Sequence, residues 1–491
     1  MSTEPGLRPP HPRGRYGGDR SWALRLALGF AAVALLLHLP GLIEPLFNSD
    51  EASLATMAME IERGGTLYHE TADRKPPVVP YVYALVFTVT GDQDIRPVRA
   101  VGALVLAGTA LLLASEAKRR AGTRAAAVAA GVFFLAGTAA NFPADSQAAG
   151  FELFMLLPMT AAVVAAGRRK SVLAGVCLAL ACLCKQTAVM TALPVAFLLL
   201  RAVGWRAVAR AALAAATVIV ATAFVFGPKE FLLWTVTGNG GYLALRGSLL
   251  ASSLRGLGMT LAFLGLNAVL VWCCVVAWRR GKVDWDLWLW LGGAAVAVLA
   301  GFRFFGHYYL QLVPPLALIA VSGLPAAGRA GRRAAAGLVL PVAAMWLFSF
   351  FPPNARGIIP YRTVSDRVRA LTAPSDRIFV WGEYPEIYWA ADREPATRFI
   401  HTGFLTGNSG GRDAGAVEPA DGVPGAWELL AADMAATPPE LIVDTSSASI
   451  RKSDHHRLED TILWEDVVRR YELVDVVDGV RLYRRAEGVT P

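Results

Sequence analysis

A polytopic α-helical membrane bundle followed by a small α/β domain is the architecture the sequence predicts, on three observations. Hydrophobic residues fill 55% of the 491 positions and charged residues only 18%, which would leave far too much apolar surface on a soluble globule. Long apolar runs alternate with short loops, and every second loop is basic, the bias of cytoplasmic segments. After Phe351-Pro352-Pro353 the apolar runs give way to a mixed composition. The net charge of +8 sits in those loops, so it does not argue for a nucleic-acid partner.

Taken in order, residues 1–21 are rich in Pro, Gly and Arg and read as a disordered cytoplasmic tail. The apolar run 22–43, at about twenty residues, is long enough to cross a bilayer. It lacks the small-residue cleavage site of a removable signal peptide. The basic loops are Lys118 to Arg124, Arg168 to Lys170, Arg201 to Arg210, Arg279 to Lys282 and Arg329 to Arg333. Setting them inside gives about eleven spans: 22–43, 97–117, 125–142, 147–166, 171–184, 187–201, 211–227, 254–278, 286–301, 307–323 and 334–351. The chain is then a multi-pass plasma-membrane protein with a cytoplasmic N-terminus and an extracytoplasmic C-terminal domain.

The apolar segment Val78 to Thr90, at roughly thirteen residues, is too short for a span. It is expected to be an interfacial or re-entrant helix that closes a long outer loop, 44–96. Within that loop, Glu51 to Arg63 carries Met57, Ala58 and Ile61 and reads as a helix lying along the membrane surface. The transmembrane domain thus covers 22–351 and a separate outer domain 352–491. In the latter, Ile378 to Gly382 and Leu441 to Asp444 read as buried strands, Pro385 to Ala391 and Trp427 to Ala436 as helices. A hairpin is expected at Tyr471 to Tyr483, turning at Asp478-Gly479. All five cysteines lie in apolar runs without metal or disulfide spacing, so they read as packing residues.

Candidate chemistry gathers at the outer ends of the spans. Asp50 and Glu51 follow the first span, where a carboxylate reaches both a membrane-embedded cavity and water; Asp50 suits a general base, and helix capping by Asp50 or Ser49 is the competing reading. Asp73-Arg74-Lys75-Pro76-Pro77 follows, its prolines fixing an extended or turning backbone that holds Lys75 at the interface. Lys185 separates two short apolar runs, where an ionisable group is by default functional. Arg303, His307, Tyr308 and Gln311 share an aromatic outer turn whose simpler reading is an interfacial belt. Asp145 reads as a cap or cavity residue, and Glu152 as facing a cavity or pairing with a cation. The loop Trp234 to Tyr242 is a weaker candidate for an acceptor groove.

Together these pieces resemble the C-type (GT-C) polytopic membrane glycosyltransferases, particularly the branch of the protein O-mannosyltransferases and the lipid A aminoarabinose transferase. The resemblance rests on Asp50-Glu51, the Asp73 to Pro77 segment, the Pro80-Tyr81-Val82-Tyr83 helix, the helix pair at Lys185 and the Arg303 to Pro315 segment, over residues 22–351. It implies a GT-C-like fold and inverting transfer of a hexosyl or pentosyl group from a polyprenyl-phosphate sugar donor to an acceptor hydroxyl on the outer face. The acceptor is left open among protein, lipid and polysaccharide, and membrane lipids are the surroundings. Asp50 would deprotonate the acceptor, with Glu51 assigned to catalysis beside it. Lys75, Arg74, Lys185, Arg303 and His307 would bind the donor phosphate, and Asp73, Asp145, Glu152, Tyr81, Tyr308 and Gln311 would line the substrate cavity.

A divalent cation at Asp50 and Glu51 is left open, since hard cations favour carboxylates; no cofactor is certain. The competing classes are a transporter or lipid flippase and a non-catalytic envelope assembly factor. Transporters place charges at the midplane of symmetry-related halves, whereas these charges gather at one face and no internal repeat is evident.

Overall fold

The computed structural model describes residues 16–239, 249–281, 283–351, 361–407, 422–448 and 456–486. Most of the expected basic tail, Lys282, Gly240 to Tyr242 and the Pro352-Pro353 junction lie outside the described residues, as do the side chains of Arg329 to Arg333. Among the described residues six helices are long and apolar enough to cross a membrane: Arg20–Leu37, Ile95–Ala121, Trp205–Phe226, Leu249–Leu266, Trp285–Phe302 and Gly306–Leu324. Seven shorter apolar helices of 10–17 residues complete the bundle. The run 254–278, expected as one span, is divided at Asn267 into Leu249–Leu266 and Ala268–Arg279.

The helices that position the site are α1 (Tyr16–Leu37), α2 (Ser49–Glu62), α3 (Val78–Thr90), α4 (Ile95–Ala121), α5 (Arg124–Ala139), α6 (Phe151–Gly167) and α7 (Ser171–Cys184). α2 starts because Asn48, in extended backbone, caps it: the Asn48 side chain accepts from the Asp50 amide at 3.0 Å, satisfying one of the first turn's orphan donors. Neither Ser49 nor Asp50 is the cap. The Asp50 carboxylate is therefore free for other work.

α2, expected along the membrane surface, is enclosed by protein. Every residue from Glu51 to Glu60 is buried, because the helix is wedged between the bundle and the C-terminal sheet. Its apolar residues pack into the bundle, on α3 and neighbouring helices. Its polar residues recur at helical spacing and face the other way. Ser49 bonds Glu386, Ser53 lies 2.8 Å from His401, Thr56 donates to the Pro385 carbonyl at 3.2 Å, Glu60 pairs with Arg377 at 2.9 Å and Arg63 with Asp392 at 2.6 Å. That stripe is the seam to the C-terminal region.

α3 is the short apolar helix anticipated, stopped by Gly91 in left-handed backbone at φ 68°, where a Cβ would be strained. Val79, Tyr83 and Phe87 are buried, while Leu85 and Val89 face outward. α4 is capped by Asp94 and stopped by Gly122. At its basic end, buried Glu116 pairs with Arg119 and Arg120, and Arg120 reaches Asp284 and Asp286 on the segment opening Trp285–Leu299.

The C-terminal sheet has strands β1 (Ile378–Trp381), β2 (Leu441–Asp444), β3 (Tyr471–Val477) and β4 (Val480–Arg485) in the order β1-β2-β4-β3. β1 and β2 pair in parallel and are buried at every position, as expected of apolar runs covered on both faces. β3 and β4 form the anticipated hairpin, turning through Asp478 (φ 50°) and Gly479 (φ 84°). Two successive positive φ angles match the primed turns favoured by strand twist.

Arg99 of α4 closes the structure around α2. Both side chains of the Arg99–Glu51 pair are fully buried, with bonds of 2.7 and 2.6 Å in bidentate geometry. Breaking a buried pair strands a charge, so Glu51→Gln is expected to cost about 3–5 kcal/mol. Equilibrium unfolding of the detergent-solubilised protein would read this as a lowered midpoint with reduced folded yield.

Candidate active site

Asp50 stands at the mouth of a cleft where α2 meets the start of α6 and the Gly306–Leu312 turn. Asn48, Asp50, Asp145, Glu152, His307 and Leu310 are among its walls. The Asp50 side chain is 40% exposed, against 4% for Glu152 and 11% for Asp145. Of the three carboxylates, Asp50 alone is open to a ligand.

The other two acids are committed. Glu152, in the first turn of α6, takes the Lys185 ammonium and lies 3.7 Å from His307 Nε2. The Lys185 nitrogen also sits 3.9 Å above the Tyr308 ring, so it is a buried, doubly held cation rather than a solvated loop lysine. Asp145 lies in the short helix Pro143–Ser146, its Oδ1 3.1 Å from His307 Nδ1. The His307 Nε2 faces Asp50 at 4.0 Å. Gly306 permits the approach, since a Cβ there would overlap the Asp145 carboxylate.

Lys75 acts on Asp50 electrostatically from the segment that follows Asp73. Its ammonium lies 3.4 Å from Asp73 and 4.6 Å from the centre of the Phe151 ring, and it is 29% exposed. Burial opposes ionisation of Asp50, but Lys75, then His307, His401 and Lys185, outweigh it and hold the carboxyl below the usual carboxylate range. The result is an ionised base facing several positive charges.

Several expected site residues have other work. Glu51 is fully buried, and its oxygens accept from Arg99, the Phe47 amide and the Ala149 amide. It orders the backbone around Asp50 and cannot reach a substrate. Arg74 turns from the cleft toward the C-terminal region, donating to the Gly403 carbonyl at 3.4 Å and stacking on Phe404. Tyr81 packs edge-on against Phe226, outside the cleft. Gln311 is buried and donates to the Tyr308 carbonyl at 2.9 Å. Arg303 is fully buried between Phe302 and Phe304, both in left-handed backbone, and is not among the cleft's lining residues. Asp73 supports Lys75 and bonds the Arg74 amide at 2.6 Å.

The residues do not fit a divalent cation at Asp50 and Glu51, because Glu51 is consumed by Arg99. Among the described residues no group of three or more His, Cys, Asp or Glu is arranged to hold a metal. Sequence reasoning missed two contributors altogether. His401 and Glu383 come from the C-terminal region, with His401 Nδ1 3.2 Å from Glu383, and neither lies in a motif or at a telling spacing.

An apolar bundle holding a single accessible carboxylate among cations defines a membrane protein with a charged, ligand-sized cleft. Its fold is similar to those of membrane glycosyltransferases of known structure. ArnT from Cupriavidus metallidurans bound to undecaprenyl phosphate is similar at a TM-score of 0.60 and 13% identity, over 96% of this chain and 99% of that one. Its apo state is similar at 0.61 and 12%, over 95% and 98%. The Archaeoglobus fulgidus oligosaccharyltransferase in complex with Zn and sulfate is similar at 0.51 and 13%, over 94% and 73%. Residues 74–234 match the family described as Dolichyl-phosphate-mannose-protein mannosyltransferase. No curated protein matches the chain by sequence.

The Glu152–Lys185 pair generates a test of how the cleft is held. Lys185→Met is expected to cost about 3–5 kcal/mol by leaving Glu152 buried without its main counter-charge. Adding Glu152→Gln should recover about 0.5–3 kcal/mol as coupling between contacting residues. Equilibrium unfolding of the two single variants and the double variant measures both.

Proposed function

We propose that the protein transfers a hexosyl or pentosyl group from a polyprenyl-phosphate carrier to an acceptor hydroxyl at the outer face of the membrane, inverting the anomeric carbon. The observation that carries this reading is the partly exposed, ionised Asp50 under the charge of Lys75, with every other acid of the cleft paired. The fold likeness to ArnT, one structure of which holds undecaprenyl phosphate, and the family match at residues 74–234 support a lipid-linked donor.

Asp50 accepts the acceptor hydroxyl proton as the acceptor oxygen bonds to the anomeric carbon. The bond from that carbon to the phosphate oxygen breaks, and its electron pair leaves on the carrier phosphate. Positive charge develops on the sugar ring in an oxocarbenium-like transition state. Negative charge accumulates on the leaving phosphate, which Lys75 stabilises from a fixed position without reorganisation. Lys185 contributes less, because Glu152 already holds it. The leaving group is a phosphate anion, so the site needs a cation there rather than a proton donor.

Asp50→Asn removes the base while keeping the shape of the side chain. Transfer in membranes supplied with donor and acceptor is expected to fall by about 10²–10⁴-fold, with normal protein levels. Near-normal turnover would remove Asp50 from the mechanism.

Lys75 is also the strongest of the charges that lower the Asp50 titration. A lowered carboxyl stays ionised as pH falls, so the wild-type enzyme keeps its base form below the usual carboxylate range. Lys75→Met is therefore expected to move the acidic limb of kcat/KM to higher pH, besides weakening use of the donor. A pH–rate profile of the two proteins checks the direction.

A further inference from the structure

The C-terminal region reaches α2 through His401, which stands beside Ser53, one turn after Asp50. The Ser53 hydroxyl donates to the Ser49 carbonyl at 3.1 Å, the back-bond expected of a helical serine. Its oxygen then accepts from His401, so the contact of 2.8 Å at Nε2 requires a proton on that nitrogen. The other nitrogen, Nδ1, lies 3.2 Å from the Glu383 carboxylate, at ion-pair distance but without hydrogen-bond geometry. The imidazolium form suits both neighbours, donating to Ser53 and placing positive charge beside Glu383.

Glu383 is itself fixed. Its second oxygen accepts from the Gly403 amide at 2.6 Å, and the Gly403 carbonyl accepts from Arg74. The Ala72 amide bonds the Arg398 carbonyl at 2.9 Å. The turn that carries His401 thus grips the same 72–75 segment that presents Lys75. His401 is 19% exposed and acts electrostatically on Asp50, while Asp73 and Lys75 act on His401 from the bundle side.

We propose that His401 is a positioning residue for sugar transfer: held beside Glu383 on the C-terminal region, it orients α2, and with it Asp50, through its bond to Ser53. The C-terminal region is then a working part of the transfer site. The inference rests on the transfer reading and on Asp50 as its base. His401 bonds α2 rather than the cleft, so its effect is exerted through α2 and Asp50.

The protonation state follows from the surroundings. Burial pushes the imidazole down, but the Glu383 carboxylate outweighs it, Asp73 adds to the upward shift and Lys75 opposes it, leaving His401 above the usual histidine value. A raised histidine keeps its charge as pH rises through the ordinary imidazole range and loses it only higher. Transfer should therefore decline on the alkaline side, where His401 loses the proton it donates to Ser53 and α2 loses that tie, while Asp50 stays ionised throughout.

Four full-length proteins in detergent or nanodiscs test this: wild type, Glu383→Gln, His401→Lys and His401→Gln. Loss of the carboxylate in Glu383→Gln should bring the alkaline limb of kcat/KM down by about one pH unit, about a tenfold loss at pH values above both midpoints. In His401→Lys the limb should move to higher pH, with most of the plateau kept. In His401→Gln it should disappear and the plateau should fall. A limb unmoved in both Glu383→Gln and His401→Lys overturns the proposal, because a purely structural role, or a limb set by His307, predicts that result.

Carbon-13 titration of labelled histidine, with His401→Gln to assign the signal, gives a second readout that does not need turnover. A His401 midpoint above about 6.5 in the wild type, falling in Glu383→Gln, is expected; a midpoint at or below the free-imidazole value overturns the proposal. Absence of transfer by the wild type with a raised His401 midpoint counts against the transfer reading instead. Transfer with an unmoved limb counts against His401 alone.

Discussion

The buried pair of Glu51 and Arg99 is the constraint on which the rest of the site depends. Two full charges sit where neither is exposed, and such a pair survives only if its remaining hydrogen-bonding capacity is met. Here it is met by the backbone of separate segments. Arg99 donates to the carbonyls of Gly41, Glu44 and Pro45, while Glu51 accepts from the amides of Phe47 and Ala149. One pair thereby fixes the exit from α1, the start of α2 and the approach to α6. Asp50 precedes Glu51 and Glu152 follows Ala149 by three residues, so the two cleft acids inherit their positions from it. Glu51 is thereby a structural acid, unavailable to a ligand.

Charge in the cleft is ordered by exposure rather than by number. Asp145 and Glu152 face His307, Glu152 also holds Lys185, and the Tyr308 ring covers the lysine from the other side. Those groups largely neutralise one another within a wall of low polarisability, where an unpaired charge would be costly. Asp50 and Lys75 are the more exposed members. A partly exposed base with a partly exposed cation acting on it suits a reaction that releases a proton and a phosphate. The paired groups hold the opening in shape and bias Asp50 toward ionisation without competing for a ligand.

Much of this was legible in the sequence, and the failures have a common cause. Asp50, Lys75 and the short helix α3 announced themselves locally, through charge beside an apolar run and a length too small for a span. Glu51 looked equivalent to Asp50 because its partner lies 48 positions away inside an apolar run, where a lone arginine carries no periodic signal. Arg74 and Tyr81 sit in the same motif as Lys75, yet alternate side chains of an extended segment and different faces of a helix point to different neighbours. Lys185 and Glu152 could be read only as cations and acids in need of partners, and the fold supplies each to the other. His401 and Glu383 had no sequence signature, since what makes them a site is the docking of one region on another.

The misreading of α2 explains why the docking matters. Ser49, Ser53, Thr56, Glu60 and Arg63 fall on one helical face, and a polar face opposite an apolar one is the pattern of a helix at a water boundary. The same pattern serves a helix whose polar face is buried against a polar surface, because hydrogen-bonding groups removed from water must find partners. Each position on that face has one in the C-terminal region. Directional bonds of this kind fix rotation and register in a way that apolar contact does not. A rotation of α2 about its axis would swing Asp50 away from His307 and break the bonds of Ser49 and Ser53 together. The seam and the base therefore move as one body, and the C-terminal region governs the orientation of Asp50 through the helix that carries it.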